Sequence, residues 1–172
     1  VDDDASLLRG LSRMLSASGY PVRTFASAAA FLATHNGQLR GCVVADLEMP
    51  DMNGLQLQAA LAQGGNPLPV VFLTGHGEIS ICVDAMKHGA EDFLTKPVCL
   101  EKLIAAVDRA LAQDAAASER ISSRETLERR LKRLTTRERQ VLQHVVAGKL
   151  NKEIAADLGA AERTIKAHRA SI

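Results

Sequence analysis

Short apolar runs alternate with amphipathic segments along the first 112 residues of the chain. Between Ala5 and Ser18, leucine and methionine recur every three or four positions, which predicts a helix that ends at Gly19. Val1 is expected to be the end of a first strand, cut short at the start of this chain. Further strands are predicted over 21–25, 41–46, 69–74 and 92–95, and further helices from residue 27 and over 54–62, 78–88 and 100–113. This alternation predicts an α/β fold with a doubly wound, five-stranded parallel sheet.

The pattern changes after this α/β segment, which we expect to form one domain over residues 1–112. Alanine, serine and charged residues dominate the next stretch and predict a partly helical linker over residues 113–133. Leu127, Leu131 and Leu134 are spaced i, i+4, i+7, which leaves coiled-coil pairing of this linker open.

From residue 134 onward the pattern is helical throughout, which predicts an all-α domain over residues 134–172. Thr135 and Glu138 are placed for a capping box at its first helix, and Asn151 is expected to cap the second helix. The second helix, over 152–158, and the third, from residue 162 to the end, are joined by a short turn. Two short helices connected in this way are typical of a helix-turn-helix.

Polar side chains stand at the ends of the predicted strands of the first domain. They are Asp2, Asp3, Asp46, Thr74 and Lys96. The ends of parallel strands converge on one edge of a sheet, which is where open α/β sheets place their ligands. Three carboxylates gathered there repel one another unless a cation lies between them, and oxygen ligands suit Mg²⁺. The sequence therefore predicts a magnesium site at this edge.

The net charge of +1 hides an uneven distribution along the chain. Residues 1–112 hold eight Lys and Arg against twelve Asp and Glu, a net charge of −4, whereas residues 113–172 hold thirteen against eight, a net charge of +5. The acidic part fits a cation site, and the basic part fits a nucleic-acid partner. No apolar run approaches membrane-spanning length and no signal peptide opens the chain, so we expect a cytoplasmic protein without a membrane partner.

Four segments of the first domain together resemble the receiver domains of two-component response regulators. They are Val-Asp-Asp-Asp (1–4), Val-Val-Ala-Asp-Leu-Glu-Met-Pro-Asp-Met-Asn-Gly (43–54), Phe-Leu-Thr-Gly-His-Gly (72–77) and Phe-Leu-Thr-Lys-Pro (93–97). Thr-Gly-His-Gly (74–77) and Ala-Met-Lys-His-Gly-Ala-Glu-Asp-Phe (85–93) are most similar to the FixJ-like subgroup. The resemblance covers residues 1–112 and implies a flavodoxin-like receiver. It implies that Asp46 accepts a phosphoryl group from a sensor histidine kinase.

The same resemblance implies roles for the residues around Asp46. The implied Mg²⁺ ligands are Asp2, Asp3, Asp46 and the backbone carbonyl of Glu48. Lys96, joined to Pro97 by a cis peptide bond, would neutralise a phosphoryl oxygen. Thr74 would donate its hydroxyl to the phosphoryl group, and Phe93 would turn inward in response.

Three segments of the second domain, over residues 134–142, 148–155 and 162–169, resemble the LuxR-type helix-turn-helix. Because that family usually adds a fourth helix, we expect this domain to be incomplete at its C-terminal end. The resemblance implies that the last helix enters the major groove of double-stranded DNA, with Lys166 and Ala167 nearest the base edges. The implied DNA-binding residues are Asn151, Lys152, Arg163, Thr164, Lys166, Ala167 and Arg169. The expected core residues are Ile154, Ala155, Leu158 and Ile165.

We therefore expect a DNA-binding response regulator rather than a turnover enzyme. Phosphorylation of Asp46 would promote a homodimer that binds DNA and regulates transcription, with RNA polymerase as a further candidate partner. Two alternatives stay open, a phosphorylation-independent interaction module and a Mg²⁺-dependent phosphatase with an Asp nucleophile. Pro50 argues against the phosphatase, because such enzymes carry Thr four residues after the nucleophile.

Overall fold

A computed structural model describes residues 1–64, 67–75, 83 and 85–172, and they form two compact units, Val1–Ser118 and Glu119–Ile172. The strands are β1 (Val43–Asp46), β2 (Val70–Thr74) and β3 (Asp92–Thr95). The helices are α1 (Ala5–Ala17), α2 (Ala28–Leu32), α3 (Gly54–Gln63), α4 (Leu100–Arg133), α5 (Thr136–Val146), α6 (Asn151–Asp157) and α7 (Glu162–Ser171). Most of the helix predicted over 78–88 lies outside the described residues, although residues 85–87 are helical.

The three strands form a parallel sheet in the order β1, β2, β3. Asp46 of β1 lies beside Leu73 of β2, and Thr74 of β2 lies beside Thr95 of β3. Every residue of β2 is buried, as expected for a central strand with helices on both faces. The sheet therefore brings the ends of its strands, and the polar residues they carry, to one edge.

Two extended segments continue the sheet beyond β1. The backbone N–H of Asp46 donates to the carbonyl of Val1 over 2.9 Å, and the amine of Val1 donates to the carbonyl of Val44 over 2.7 Å. The N–H of Asp2 in turn donates to the carbonyl of Phe25 over 3.2 Å. The segments thus follow the order 2-1-3-4-5 of a flavodoxin-like sheet. The predicted α/β fold is confirmed, with three of its five strands forming regular ladders.

Hydrophobic side chains fill both faces of the sheet. Phe72 packs on one face with residues of α2 and α3, including Phe31 and Leu57. The next residue, Leu73, points to the opposite face and packs with residues of α1 and α4, including Leu11. Helices on both faces confirm the doubly wound arrangement.

Helix α4 corrects the prediction that a helix ends near Gln113 and a partly helical linker follows. It is one continuous helix of 34 residues. Between Pro97 and Gly148 the sequence contains no proline or glycine, so nothing interrupts the helix before Thr135 begins the next one. Asp114 is buried, and its carboxylate accepts a hydrogen bond from the N–H of Gly41 over 2.9 Å. The start of the predicted linker is therefore packed against the first unit.

The second unit is built on a small core between α5, α6 and α7. Val141, Ile154, Ala155 and Ile165 form this core, and Leu158 packs against it, so the expected core residues are confirmed. Gly159, at the turn between α6 and α7, has a φ of +60°, a conformation that favours glycine. No helix in the described part of the chain is both long and apolar enough to cross a membrane.

The helix starts of this unit confirm one capping prediction and correct another. The hydroxyl of Thr135 accepts from the N–H of Glu138, whose carboxylate accepts from the N–H of Thr135 over 2.9 Å. The hydrogen bonds from Thr135 and Ser171 hold the pKa of Glu138 below its usual value. Asn151 is not the cap of α6: Leu150 occupies that position, and Asn151 is the first helical residue.

Candidate functional site

Three carboxylates meet at the edge of the sheet where the strands end. One oxygen from each of Asp2, Asp3 and Asp46 lies within 4.8 Å of the others. Asp2 follows the extended segment at Val1, Asp46 ends β1, and both are buried, whereas Asp3 is exposed. The set offers hard oxygen ligands from two neighbouring segments, which is the chemistry that Mg²⁺ prefers.

Lys96 completes this cluster. It directly follows β3, which β2 separates from β1. Its Nζ donates to Asp46 over 2.8 Å and to Asp2 over 3.0 Å. Burial lowers the pKa of Lys96, but the hydrogen bonds and charges of the two carboxylates outweigh it, and the pKa lies above its ordinary value. The side chain therefore stays positively charged at neutral pH and offsets one of three negative charges.

The backbone at the end of β2 and β3 fixes where Lys96 lies. Its N–H donates to the carbonyl of Thr74 over 2.7 Å, which continues the β2–β3 ladder by one step, and its bond to Pro97 is cis as expected. Thr74 is fully buried. It follows Leu73, the residue of β2 that pairs with Asp46. Phe93 is half-buried beside Phe72 and packs against the α2–α3 face.

The loop after β1 forms the other wall of the site. The N–H of Glu48 donates weakly to Asp46 Oδ1, over 3.4 Å. A surface depression beside the cluster is lined by Asp3, Leu47, Glu48, Met49, Pro50, Asn53 and Leu55. Glu48 thus lies next to the carboxylates.

Two residues that support this loop are missing from the sequence predictions. Asn53 caps α3, since its side chain accepts from the N–H of Gln56 over 2.9 Å and Gln56 returns a hydrogen bond. The spacing of Asn and Gln could have predicted this box. Gly54 lies so close to β1 that a Cβ there would be 2.6 Å from the carbonyl oxygen of Asp46. Nothing in the local pattern predicts that approach.

The second candidate site is the exposed side of α6 and α7. Of the seven residues predicted to bind DNA, Asn151 is half-buried and the other six are exposed. Lys166 pairs with Glu162 at 3.3 Å, and Arg169 donates to Asn151 over 2.7 Å. The structure thus gathers these residues on two adjoining helices.

Two other features of the helix-turn-helix concern its folding and not its contacts with DNA. Arg137 donates to the carbonyl of Leu158 at the end of α6, so this basic side chain supports the fold. Ala161 precedes α7 and provides no side-chain cap, which leaves the first N–H groups of that helix without such a partner.

Comparisons with known proteins assign both units. The family of response regulator receiver domains matches residues 1–108, and the luxR family of bacterial regulatory proteins matches residues 132–172. Response regulator protein TmoT of Ectopseudomonas mendocina is 42% identical over 173 residues, which cover 100% of this chain and 78% of TmoT. Transcriptional regulatory protein FixJ of Rhizobium meliloti is 41% identical over 172 residues, which cover 100% of this chain and 84% of FixJ.

Solved structures agree with these matches. The low-resolution structure of response regulator StyR has a TM-score of 0.89 and 41% identity, covering 100% of this chain and 87% of StyR. The crystal structure of full-length FixJ from B. japonicum has a TM-score of 0.63 and 37% identity, covering 99% of this chain and 84% of FixJ. The receiver match alone spans more than half of the sequence, so the chain belongs to the response regulators and, with its LuxR-type DNA-binding domain, is a transcriptional response regulator of a two-component system.

Proposed function

We propose that Asp46 accepts a phosphoryl group from a sensor histidine kinase, and that this modification controls dimerisation and DNA binding. One observation carries the proposal: the Lys96 ammonium lies 2.8 Å from Asp46 and 3.0 Å from Asp2 at the edge where Asp3 also gathers. These groups are separated by 50 and 94 positions in the sequence, and a cluster of charged groups that perturb one another is a candidate functional site.

The chemistry at Asp46 is covalent. A carboxylate oxygen of Asp46 forms the new O–P bond while the bond between phosphorus and the donor breaks, and the electron pair leaves with the donor. Phosphoryl transfer depends on in-line placement and on charge compensation more than on a base. Lys96 supplies a fixed positive charge beside the nucleophile, and Thr74 would supply a hydroxyl donor.

The donor set also fits Mg²⁺. Asp2, Asp3 and Asp46 carry three negative charges and Lys96 offsets one, so a net charge of about −2 is left among oxygen ligands suited to a hard divalent cation. These three side chains and the backbone carbonyl of Glu48 would hold the ion. When bound, Mg²⁺ supplies positive charge that stabilises the phosphoryl oxygens.

The response to phosphorylation would pass through Thr74 and Phe93. Thr74 ends the buried β2, and Phe93 lies half-buried on β3, where a rotation inward would change the packing of the neighbouring surface. A local charge change read out by a packing change is a common form of switch. That surface would then form the homodimer.

The output is regulation of transcription. Helix α7 would lie in the major groove of double-stranded DNA, with Lys166 and Ala167 near the bases. Asn151, Lys152, Arg163, Thr164 and Arg169 would add contacts, largely to phosphates. The homodimer would bind a twofold operator in the cytoplasm and could present RNA polymerase with a docking surface. Apart from its own phosphorylation and slow hydrolysis, we assign it no turnover activity.

Intact-mass measurement after incubation with acetyl phosphate tests the proposal. We expect the wild-type chain to gain one phosphoryl group in the presence of Mg²⁺ and none after chelation of the metal. Asp46→Asn keeps the size of the side chain but removes the nucleophile, so this variant should gain no mass while its circular dichroism stays unchanged.

The controls separate the alternatives. Asp51→Asn changes an exposed carboxylate in the following loop and should leave labelling intact. Labelling of the Asp46→Asn variant at the wild-type rate would contradict the assignment, absence of labelling in the wild type would favour a phosphorylation-independent module, and sustained hydrolysis of generic phosphoesters would favour a phosphatase.

A further inference from the structure

The side chains of Asn151 and Arg169 meet across the helix-turn-helix although 18 positions separate them. Arg169 Nη1 donates a hydrogen bond to Asn151 Oδ1 over 2.7 Å. Asn151 begins α6 and is half-buried, whereas Arg169 lies near the end of α7 and is exposed. The contact therefore joins the two helices assigned to DNA recognition.

This contact fixes the direction of the Asn151 amide. A guanidinium carries only N–H donors, so the amide must turn its carbonyl oxygen toward Arg169. Its NH₂ group then points away from Arg169, and within the described ranges no residue accepts a hydrogen bond from it. Two oriented N–H donors are left for a partner outside the chain.

Arg169 also keeps an uncompensated positive charge. Lys166, on the same helix, pairs with Glu162 at 3.3 Å, but no carboxylate of the described residues lies within ion-pair distance of Arg169. The hydrogen bond to Asn151 uses one of its five N–H donors. A positive charge and several donors are therefore concentrated beside the Asn151 NH₂ group.

We propose that Asn151 and Arg169 form one phosphate clamp, in which Arg169 binds a DNA phosphate and orients the Asn151 amide toward the same phosphate. This inference rests on the proposed DNA-binding function and adds a coupling between two contacts that are otherwise independent. Phosphate oxygens only accept hydrogen bonds, so they match a charged cluster of N–H donors. The clamp fixes the position of the two helices on the duplex without reading bases.

A double-mutant cycle on the full chain tests the coupling, with a random-sequence DNA duplex as the probe and fluorescence anisotropy as the readout. Asn151→Ala and Arg169→Ala should each weaken binding about tenfold, and the double variant should bind about as weakly as Arg169→Ala alone. Arg169→Ala should also reduce the slope of log affinity against log salt by about one, whereas Asn151→Ala leaves that slope unchanged.

Conservative variants separate the clamp from a purely structural contact. Asn151→Asp keeps an oxygen for Arg169 but has no N–H donor, so it should weaken binding at least as much as Asn151→Ala. Arg169→Lys keeps the charge and should recover part of the affinity that Arg169→Ala loses.

Arg9→Ala removes the same charge from an exposed position of the first unit and should change affinity less than about twofold.

The outcomes distinguish this inference from the proposed function. Single effects that multiply to about a hundredfold in the double variant, or tight binding by Asn151→Asp, overturn the clamp and leave DNA binding intact. A wild-type chain that does not bind the duplex at low salt, even after treatment with acetyl phosphate and Mg²⁺, overturns the DNA-binding function and the clamp with it. If Arg169→Ala unfolds the unit by circular dichroism, Arg169→Met, which keeps the length of the side chain but has no N–H donor, replaces it in the same cycle with the same expectations.

Discussion

Single atoms decide how closely α3 approaches β1, the strand that ends in Asp46. Gly54 is the first residue of α3, and its N–H donates to the carbonyl of Leu47 over 3.0 Å. A Cβ at this position would lie 2.6 Å from the carbonyl oxygen of Asp46 and 2.8 Å from Cε1 of Phe72. The absence of a side chain therefore lets the helix pack directly behind Asp46.

Gly54→Ala should lower the free energy of unfolding by about 1–3 kcal/mol, because backbone atoms must shift to admit the methyl group. It should also slow labelling by acetyl phosphate, since the displaced backbone carries Asp46. Urea unfolding followed by the fluorescence of Tyr20, the only tyrosine in a chain without tryptophan, measures the first effect.

Gly10→Ala is the matched control for Gly54→Ala. Gly10 lies in the interior of α1 with nothing within 4 Å of its Cβ position, so alanine should stabilise the helix by about 0.5–1 kcal/mol. Equal effects of the two substitutions would contradict the steric explanation.

Residue-level predictions from the sequence succeeded where local chemistry decides the outcome. The capping box of Thr135 and Glu138 forms as predicted, because its two residues lie only three positions apart. Asn151 was assigned wrongly as a cap: the extended backbone of the cap position lies at Leu150, and the Asn151 oxygen accepts from Arg169, 18 positions away. No local pattern carries that distant contact.

At the scale of elements, α4 is attached to the first unit by a buried carboxylate in addition to its apolar residues in the core. Asp114 accepts from the N–H of Gly41 over 2.9 Å and pairs with Arg40 Nε at 3.1 Å, while Arg40 also donates to the carbonyl of Asp114. The helix passes the end of the receiver match at residue 108 and is still packed against the first unit at Asp114. The sequence prediction ended this helix near Gln113, so it included neither the continuity of α4 nor this attachment point.

Asp114→Ala should destabilise the first unit by about 2 kcal/mol, because the N–H of Gly41 loses its acceptor and the guanidinium of Arg40 loses its carboxylate partner. Tyr20 reports on this directly, since its hydroxyl donates to Asp108 of the same helix over 2.6 Å. Glu119→Ala, at an exposed position of α4, is the control and should change the unfolding midpoint little. Identical midpoints for the two variants would show that Asp114 does not anchor the helix.

The whole molecule combines an acidic receiver with a basic DNA-binding unit. Both classes of domain, and their order, could be predicted from hydrophobic pattern and charge, because each has its own periodicity and composition. Which strand ends meet could be predicted as well, since parallel strands impose that convergence. The contacts of Lys96 with two particular carboxylates depend on the folded backbone and had to be observed.

Phosphorylation should convert the chain from monomer to homodimer. Light scattering coupled to size exclusion, before and after treatment with acetyl phosphate and Mg²⁺, should give a doubling of the mass, because the repacked surface near Phe93 would become self-complementary. Asp46→Asn should stay at the monomer mass under both conditions. A mass that is the same with and without phosphoryl transfer would rule out this form of regulation.

The bridge made by Lys96 has a consequence for the quality of signalling. Its two partners lie 50 and 94 positions away, so the three groups meet only after the sheet has assembled. If Asp46 is phosphorylated as proposed, a nascent, misfolded or partly degraded copy lacks the charged pocket and should not be phosphorylated. Phosphorylation would therefore be restricted to fully folded copies of the protein.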